Sequence, residues 1–461
     1  MPGRGAGRSA RGQRGRLGYA ADWISQDAGR DASCDATDRR PRLMDGERRV
    51  FLFLQGPHGS YFARLAGALA SRGHVVHRIN LCGGDQLDWP GQATNYRGTL
   101  RSWPVFVDDY LVKHEITDLV LFGDCRPHHT SAHGMAKVRD LRVHVLEEGY
   151  IRPDFVTLEE GGVNGHSRLP RDPAWFRAEA QRLPPEPAGP PIAASFRRRA
   201  IETICHLLAT MFLMPLYPFY RTHRPYSPLI EAIGWFLWAA NSGIERRLSR
   251  RTLRRVLEER DQRPIFLVPL QLNSDYQLRV HSPFNDMRAA LRFIIKNFAE
   301  AAPRDAQLLV KRHPLDNGLV PWRTITARLA RRHGVGDRVV YIGDGDLNAI
   351  LPNSAGAVMV NSTVGTLALN LGIPVAVIGR AVYDVDGVVH RGALEDFWQA
   401  PPRPDEALWS SVRRVFVDRS LIRGGFLSEE GLAMLVENAI PRLTAPVRPI
   451  ADNVTRIVRW R

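Results

Sequence analysis

Two short polar segments, each preceded by an apolar run, combine side chains that can bind phosphate. In chain order these side chains belong to Lys311, Arg312, His313, Asn361, Ser362 and Thr363, and Pro314 makes the first turn rigid. We interpret each segment as the loop between a buried strand and a helix, where free N–H groups and the positive end of the helix dipole favour an anion. Plain N-capping is the alternative for the second segment and is compatible with phosphate binding. Together the segments predict a site for the phosphate of a nucleotide-linked substrate.

Acidic residues that follow the other apolar runs are candidates for catalysis. Glu148 is the preferred candidate, Asp124 and Asp85 are the alternatives, and Glu147 ranks lower. A carboxylate in a cleft can accept a proton or attack an anomeric carbon. An arginine such as Arg152 can hold a sugar carboxylate through two parallel hydrogen bonds. A solvated pair of glutamates with Arg152 as its salt-bridge partner is the alternative interpretation.

These candidates need a scaffold, and the hydrophobic pattern indicates which one. Apolar runs alternate with segments of helical periodicity from residue 49 and again from residue 264. Such alternation is typical of right-handed βαβ units and parallel sheets. In these sheets ligands bind beyond the carboxyl ends of the strands. We therefore predict an α/β fold with two Rossmann-like, doubly wound domains that face a cleft.

The predicted organisation has five parts. An N-terminal acceptor and catalytic domain spans 48–180, and a nucleotide-sugar-binding domain spans 263–445. Between them, 181–262 forms a helical linker or a membrane-surface segment. The two ends, 1–47 and 446–461, are basic tails. We expect 1–47 to be disordered, and the alternative is that the true start codon lies further downstream.

The charge of the chain restricts its partners. The 461 residues carry a net charge of +15, which favours nucleic acid, anionic lipid or a phosphorylated substrate. No nucleic-acid-binding motif accompanies this charge, so we predict that nucleic acid is not a partner. The four cysteines are far apart, as in proteins of a reducing cytoplasm. The sequence offers no run long enough for a spanning helix and no secretory signal.

The segment from Arg197 to Tyr220 has basic flanks and many large apolar side chains. Trp235, Trp238 and several arginine pairs follow it. Tryptophan prefers the membrane interface, and arginine attracts anionic lipid. A buried helix hairpin is the alternative. We predict contact with a membrane surface.

We predict no metal and no cofactor. Asp344 and Asp346 form a D-x-D pair of the kind associated with divalent cations, but we expect Asp346 to cap the next helix instead. His129 and His133 are four residues apart and could share a metal. We interpret them as part of the polar face of a helix.

Seven clusters in a fixed order resemble the capsule polysaccharide biosynthesis/export family over residues 49–400. In chain order they are Gln55, Gly56 and Pro57 with Phe62; Asn80 with 83–85 and Trp89; 147–153; 162–164; 271–277; 311–316; and 361–365. The most similar branch is the Kdo transferase of group 2 capsules. The resemblance implies a GT-B-like fold and retaining transfer of β-Kdo from CMP-Kdo to a phosphatidylglycerol-type lipid. It also implies a cytoplasmic, peripheral location at the inner face of the bacterial inner membrane, with other capsule proteins as candidate partners.

The resemblance further implies roles for single residues. The catalytic aspartate of the family's Glu-Asp-Gly-Phe-like motif falls on Glu148, so a glutamate stands where the family has aspartate. The residues implied to contact CMP are His313, Pro314, Ser362 and Thr363. The residues that we expect to contact the sugar or the acceptor are Gln55, Gly56, Pro57, Arg152 and Asn164. A non-catalytic export or scaffold subunit, or a transferase for another nucleotide-sugar, remain the alternative functions.

Overall fold

A computed structural model describes residues 48–446 of the chain, except 188, 194, 223–225, 227 and 274. The predicted tail 1–47, and all but the first residue of the predicted tail 446–461, lie outside the described residues. Two separate β-sheets organise the described part, and helices cover both. This confirms the predicted α/β class with two Rossmann-like domains.

The strands are short and mostly apolar. In chain order they are β1 (Val50–Phe53), β2 (Val75–Asn80), β3 (Thr94–Asn95), β4 (Asp118–Phe122), β5 (Arg142–Glu148), β6 (Phe155–Glu160), β7 (Ile265–Pro269), β8 (Gln307–Lys311), β9 (Val339–Ile342), β10 (Gly356–Met359), β11 (Val375–Val377) and β12 (Leu421–Arg423). Every residue of β4, β7 and β8 is buried. Burial on both faces explains why these strands lack polar alternation.

The helices follow most strands and cross over to the next one. In chain order they are α1 (Tyr61–Ala70), α2 (Gly83–Asp88), α3 (Trp103–Lys113), α4 (Pro127–Val138), α5 (Pro173–Arg182), α6 (Phe196–Phe212), α7 (Pro228–Glu258), α8 (Tyr276–Val280), α9 (Met287–Ala301), α10 (Trp322–Arg332), α11 (Leu347–Ile350), α12 (Val364–Asn370), α13 (Leu394–Gln399), α14 (Glu406–Arg419) and α15 (Glu429–Thr444). Among these described helices, none combines the length and the apolar character that crossing a bilayer requires.

The first sheet has the strand order β12-β6-β5-β4-β1-β2-β3, and the second has the order β11-β10-β7-β8-β9. All pairs in the second sheet are parallel. In the first sheet, β6 runs antiparallel to β5, and β12 runs antiparallel to β6. Most strands therefore end at one edge of their sheet, which is where ligands bind in such folds.

The chain returns to the first sheet near its end. Leu421 of β12 pairs with Thr157 of β6, and α15 packs against α1 in the core of the first domain. Glu429 at the start of α15 forms a salt bridge with Arg64 of α1. The predicted second domain, 263–445, includes this stretch. Its return to the first sheet was not predicted from the sequence.

Residues 149–151 join the two domains. Tyr150 and Ile151 belong to a buried cluster whose other members are mostly in the second domain. The hydroxyl of Thr366 in α12 donates to the Tyr150 carbonyl at 2.6 Å. Arg171, which lies before α5, forms a salt bridge with Asp384 of the second domain at 3.2 Å. These contacts bring the carboxyl end of β5 against the loop that follows β10.

Candidate functional site

Glu147, at the end of β5, lies between the two domains. Its carboxylate accepts hydrogen bonds from Asn164 Nδ2 at 2.6 Å, within the first domain, and from Gln277 Nε2 at 3.0 Å, from α8 of the second domain. Burial, together with the negative charges of Asp275 and Asp124, raises the pKa of Glu147 to about 8. The carboxyl group is therefore mostly protonated at neutral pH.

The Gln277 amide has one buried atom without a partner. Its Nε2 donates to the Glu147 carboxylate, a bond that favours ionisation and partly offsets the effect of burial. Its Oε1 is buried and has no hydrogen-bond partner among the described residues.

Glu148, the next residue, has the opposite protonation state. Its Oε1 forms a salt bridge with Arg199 of α6 at 2.6 Å. Burial opposes its ionisation, but the charges of Arg199 and Arg152 outweigh burial and lower the pKa of Glu148 below its usual value. Consecutive strand residues project to opposite faces. The two glutamates therefore leave β5 on different sides, one towards α8 and the other towards α6.

The positive charge of Arg152 affects the pKa values of several of these groups. It is exposed, and its Nε donates to the Gly149 carbonyl at 3.2 Å. Its charge favours ionisation of both Glu147 and Glu148. It also helps to lower the pKa of His313, which belongs to the second domain. Groups from both domains therefore lie close enough to Arg152 for its charge to affect their pKa values, and a crevice shared by Glu148 and His313 stays a prediction.

His313 is neutral at physiological pH. Burial, and then the charges of Arg152 and Lys311, lower its pKa to about 4. Its Nδ1 accepts a hydrogen bond from the Leu315 N–H at 3.1 Å, so the ring proton is on Nε2. The ring can thus donate one hydrogen bond to a ligand.

The loop around His313 differs from the prediction in one respect. Residues 313–316 form a turn, and α10 begins only at Trp322. The expected order of strand, loop and helix is present, but His313 does not stand at the helix N-terminus. Pro314 is exposed, whereas Lys311 is buried at the end of β8 with Nζ 3.5 Å from the Arg312 carbonyl. Burial lowers the pKa of Lys311.

The second predicted loop does open a helix, because α12 begins at Val364 directly after Thr363. Ser362 Oγ accepts from the Val364 N–H at 3.2 Å in a local turn before the helix, whereas the capping residue Thr363 makes no side-chain cap hydrogen bond. The Asn361 side chain accepts from Gln271 Nε2 at 2.7 Å and donates to the Gln277 carbonyl at 2.9 Å. Asn361 thereby fixes α8, which carries the partner of Glu147.

Asp124 lies at a second junction between the domains. It is buried, and His166 Nδ1 donates to its Oδ2 at 2.9 Å. Burial opposes ionisation, but this bond and the neighbouring histidine charges lower the pKa of Asp124 to about 2. Cys125 Sγ lies 3.6 Å from Nε2 of His281, which comes from the second domain.

Two groups of side chains have the composition of metal sites. Asp124, Cys125, His166 and His281 place one potential ligand atom each within 4.8 Å of one another, and Cys82, Asp85 and His206 do the same. Burial and the charge of Asp124 raise the pKa of the Cys125 thiol, so the Asp124 group is a hydrogen-bonded junction when no metal is bound. The absence of a metal stays a prediction.

Asp85 is buried in the first domain, away from the second. It forms a salt bridge with Arg78 at 3.5 Å and accepts hydrogen bonds from the Leu81 N–H and from Gln55 Nε2. Gln55 also accepts from Arg126 at 3.0 Å. Gly56 and Pro57 are buried beside this network. The structure therefore gives Asp85 and Gln55 internal partners and does not bring them to Glu147.

The secondary interpretations of the sequence can also be located. Asp346 accepts from the Asn348 N–H at 3.0 Å and caps α11, as expected. His129 and His133 lie on α4 and are buried, so they do not form a solvated polar face. His129 Nδ1 is hydrogen-bonded to the Gly123 carbonyl at 2.6 Å.

From the sequence, Glu147 was a lower-ranked catalytic candidate. No individual role was predicted for Gln277, His281 or Arg199. Gln277 lay in a motif that was recognised as a whole, but its contact with Glu147 joins residues that are 130 positions apart. Arg199 was noticed only as part of an arginine cluster. The one available signal was that Glu147 immediately precedes the favoured Glu148.

The chain is similar in sequence to known proteins. The sequence pattern of the family described as "Capsule polysaccharide biosynthesis protein" matches residues 117–427. The chain is 34% identical over 374 residues to the capsule polysaccharide export protein KpsS of Escherichia coli, which covers 80% of this chain and 94% of that protein. It is 32% identical over 397 residues to the capsule polysaccharide modification protein LipB of Neisseria meningitidis serogroup B, covering 84% of this chain and 93% of LipB.

Solved structures with some similarity include that of Thermosulfurimonas dismutans KpsC, a beta Kdo 2,7 transferase. It has a TM-score of 0.40 and 15% sequence identity, and the match covers 84% of this chain and 99% of that one. A glycosyltransferase from Rickettsia africae has a TM-score of 0.34 and 11% identity, covering 86% of this chain and 98% of that one. The family pattern and the identity to KpsS and LipB show that the chain belongs to the capsule polysaccharide biosynthesis family.

Proposed function

We propose that the protein is a retaining β-Kdo transferase that moves Kdo from CMP-Kdo to a phosphatidylglycerol-type lipid during synthesis of a capsule linker. The observation that carries the proposal is the pair Glu147 and Glu148 at the domain junction, whose pKa values shift in opposite directions. Such a pair is the arrangement in which one carboxylate attacks and the other exchanges a proton. Membership of the capsule family and the motif resemblance support Kdo as the sugar.

The protonation states assign the two roles. Only an ionised carboxylate can attack, so Glu148 forms the bond to the anomeric carbon while the bond from that carbon to the CMP phosphate oxygen breaks. In the second step the acceptor hydroxyl attacks the same carbon, the ionised form of Glu147 takes the hydroxyl proton, and the Glu148 carboxylate leaves. With a pKa of about 8, that ionised form is the minority near neutral pH. A pKa of about 8 suits a base that works near neutral pH.

The remaining polar groups match the donor's charges. Arg152 is exposed beside both glutamates, and its guanidinium can hold the sugar carboxylate through two hydrogen bonds. Nε2–H of His313 donates to the single phosphate of CMP. Ser362 and Thr363, at the start of α12, contact the same nucleotide. Asn164 keeps Glu147 in position through its 2.6 Å hydrogen bond.

We propose that the reaction takes place in the cytoplasm, at the inner face of the bacterial inner membrane. The lipid acceptor is available there, and other capsule biosynthesis and export proteins can take up the product. Cys82 and Cys125 are buried free thiols, which a reducing compartment preserves.

Turnover tests the proposal. Purified protein with CMP-Kdo and phosphatidylglycerol vesicles should release CMP and form a Kdo-lipid. Glu148→Gln should abolish release and retain donor binding. Glu160→Gln is the matched control, because Glu160 pairs with Arg142 at the other end of β5 and should leave turnover unchanged.

Three outcomes would contradict the proposal in different ways. Donor binding without product would indicate a non-catalytic export or scaffold subunit. Thermal stabilisation by a UDP-sugar in place of CMP-Kdo would indicate another donor. Full activity of Glu148→Gln would move the nucleophile to Asp124, which is buried at the second junction, or to Asp85.

A further inference from the structure

Helix α6 turns its apolar side to solvent. Its large exposed apolar residues are spaced by three or four positions and form one stripe: Ile201, Ile204, Leu208, Met211 and Phe212. Phe212 is 78% exposed. The usual amphipathic helix of a soluble protein buries such a stripe against the core.

The opposite side of α6 is polar and faces the protein. Thr203 is hydrogen-bonded to His58 at 3.2 Å, and His206 to Asp88 at 2.7 Å. Thr210 Oγ1 accepts from the Gly84 N–H at 3.1 Å. Polar contacts therefore hold α6 to the first domain, and its apolar stripe is exposed.

Helix α7 repeats this arrangement on the second domain. Its inner side is held by Glu245, which pairs with Arg323 at 2.7 Å, and by Ser249, which accepts from the Gly343 N–H at 3.0 Å. Its outer side carries an exposed apolar stripe: Ile230, Ile233, Phe236, Leu237, Ile244 and Leu248. Exposed residues of the connecting segment, Met214, Leu216 and Phe219, link the two stripes along the chain.

Arginines continue the stripe of α7. Arg247 follows Ile244 by three positions, and Arg251 and Arg255 follow Leu248 by three and seven, so all lie on the same face of the helix. All three are exposed. The face thus changes from apolar to cationic along one helix, which matches acyl chains beside anionic headgroups.

We propose that the outward faces of α6 and α7, here called the α6–α7 surface, dock on an anionic lipid bilayer by inserting their apolar side chains at the headgroup boundary. The arginines argue for lipid rather than for a second protein, because they supply the charge that anionic headgroups complement. This proposal rests on the proposed function, because it identifies the surface that would contact the lipid acceptor. Its test does not require turnover.

Docking in this way would bring the bilayer close to the candidate site. Arg199 projects from α6 to Glu148 at 2.6 Å. A helix with its side chains is about 10 Å across. The lipid that contacts the outer face of α6 is therefore roughly one helix diameter from the proposed nucleophile, a distance that a headgroup can cross.

Flotation with vesicles tests the α6–α7 surface. The full chain should float with phosphatidylglycerol-containing vesicles and much less with phosphatidylcholine vesicles, without any sugar donor present. Phe212→Ser/Phe236→Ser should lower the partition coefficient by at least roughly tenfold, because each side chain loses its apolar burial. Val105→Ser/Val138→Ser is the matched control, since both residues are exposed but lie on α3 and α4.

A charge-reversal pair tests the cationic end. Arg251→Glu/Arg255→Glu should reduce binding by roughly tenfold or more and remove its salt dependence, whereas Arg331→Glu/Arg332→Glu, on α10, should have little effect. Equal loss in variants and controls, or no flotation of the parent protein, would overturn the proposal. A dimer in sedimentation that Phe212→Ser/Phe236→Ser dissociates would assign the surface to a second copy. Normal flotation without CMP release would instead refute the proposed reaction.

Discussion

Replacing Glu147 by glutamine should make the protein more stable in mildly basic solution. The folded protein raises the pKa of Glu147 from 4.5 to about 8. The folded state therefore binds more protons than the unfolded state between these pH values, and wild-type stability falls as pH rises from 4.5 to 8. Glutamine does not titrate, so this fall in stability with rising pH should be absent from the variant.

The size of the effect follows from the shift. The full pKa shift corresponds to roughly 5 kcal/mol in the free energy of unfolding. Partial solvation of the side chain reduces this effect, so we expect the variant and the wild type to differ in stability by about 2–4 kcal/mol at pH 8. The amide of the variant can still hydrogen-bond to Gln277 and Asn164. Because the protein has two domains, the comparison should use thermal midpoints of both proteins across pH 5–9. The midpoints should nearly coincide at pH 5 and differ by several degrees at pH 8.

Glu148→Gln is the internal control, because it should change the thermal midpoint at pH 8 in the opposite direction. Arg199 and Arg152 lower the pKa of Glu148, so its ionised form stabilises the fold above its unfolded pKa. Glu148→Gln should therefore lower the midpoint at pH 8. If Glu147→Gln lowered the midpoint at pH 8 as well, Glu147 would be ionised in the folded protein and the assignment of the two roles would fail.

Three further predictions follow from single contacts. Arg199→Ala should raise the pKa of Glu148 and move the acidic limb of the pH–rate profile upward, whereas Arg197→Ala on the same helix should leave the profile in place. His313→Ala should weaken CMP binding in calorimetry by roughly tenfold, and His313→Gln, which keeps an N–H donor, should recover much of it. Thr366→Val should lower the thermal midpoint by removing a bond between the domains worth about 1–2 kcal/mol, with CMP affinity little changed.

The sequence predicted the features that depend on local pattern. The apolar runs of β4, β7 and β8 are buried on both faces, and a continuous apolar run is the direct mark of such strands. The cap of α11 by Asp346 follows from the preference of aspartate for that position. The rule that ligands bind at the carboxyl ends of strands also led to the crevice predicted between Glu148 and His313, which stays a prediction.

The sequence could not supply features that depend on distant partners. Strand β12 has three residues, and only its pairing with β6 assigns it to the first sheet. Burial raises the pKa of both Glu147 and Glu148, and the two pKa values diverge because Asp275 raises the first further and Arg199 lowers the second. The fold brings these partners from elsewhere. His313 lies in a turn between β8 and α10 and not at the N-terminus of the helix. Local propensity carries none of this information.

The most direct test of the central claim is mass spectrometry of peptides from Glu147→Gln protein incubated with CMP-Kdo. Without its base the second step should slow, so a Kdo adduct should accumulate on the peptide that contains Glu148. The double variant Glu147→Gln/Glu148→Gln should carry none. An adduct that persists in the double variant, or that maps to Asp124, would contradict the account.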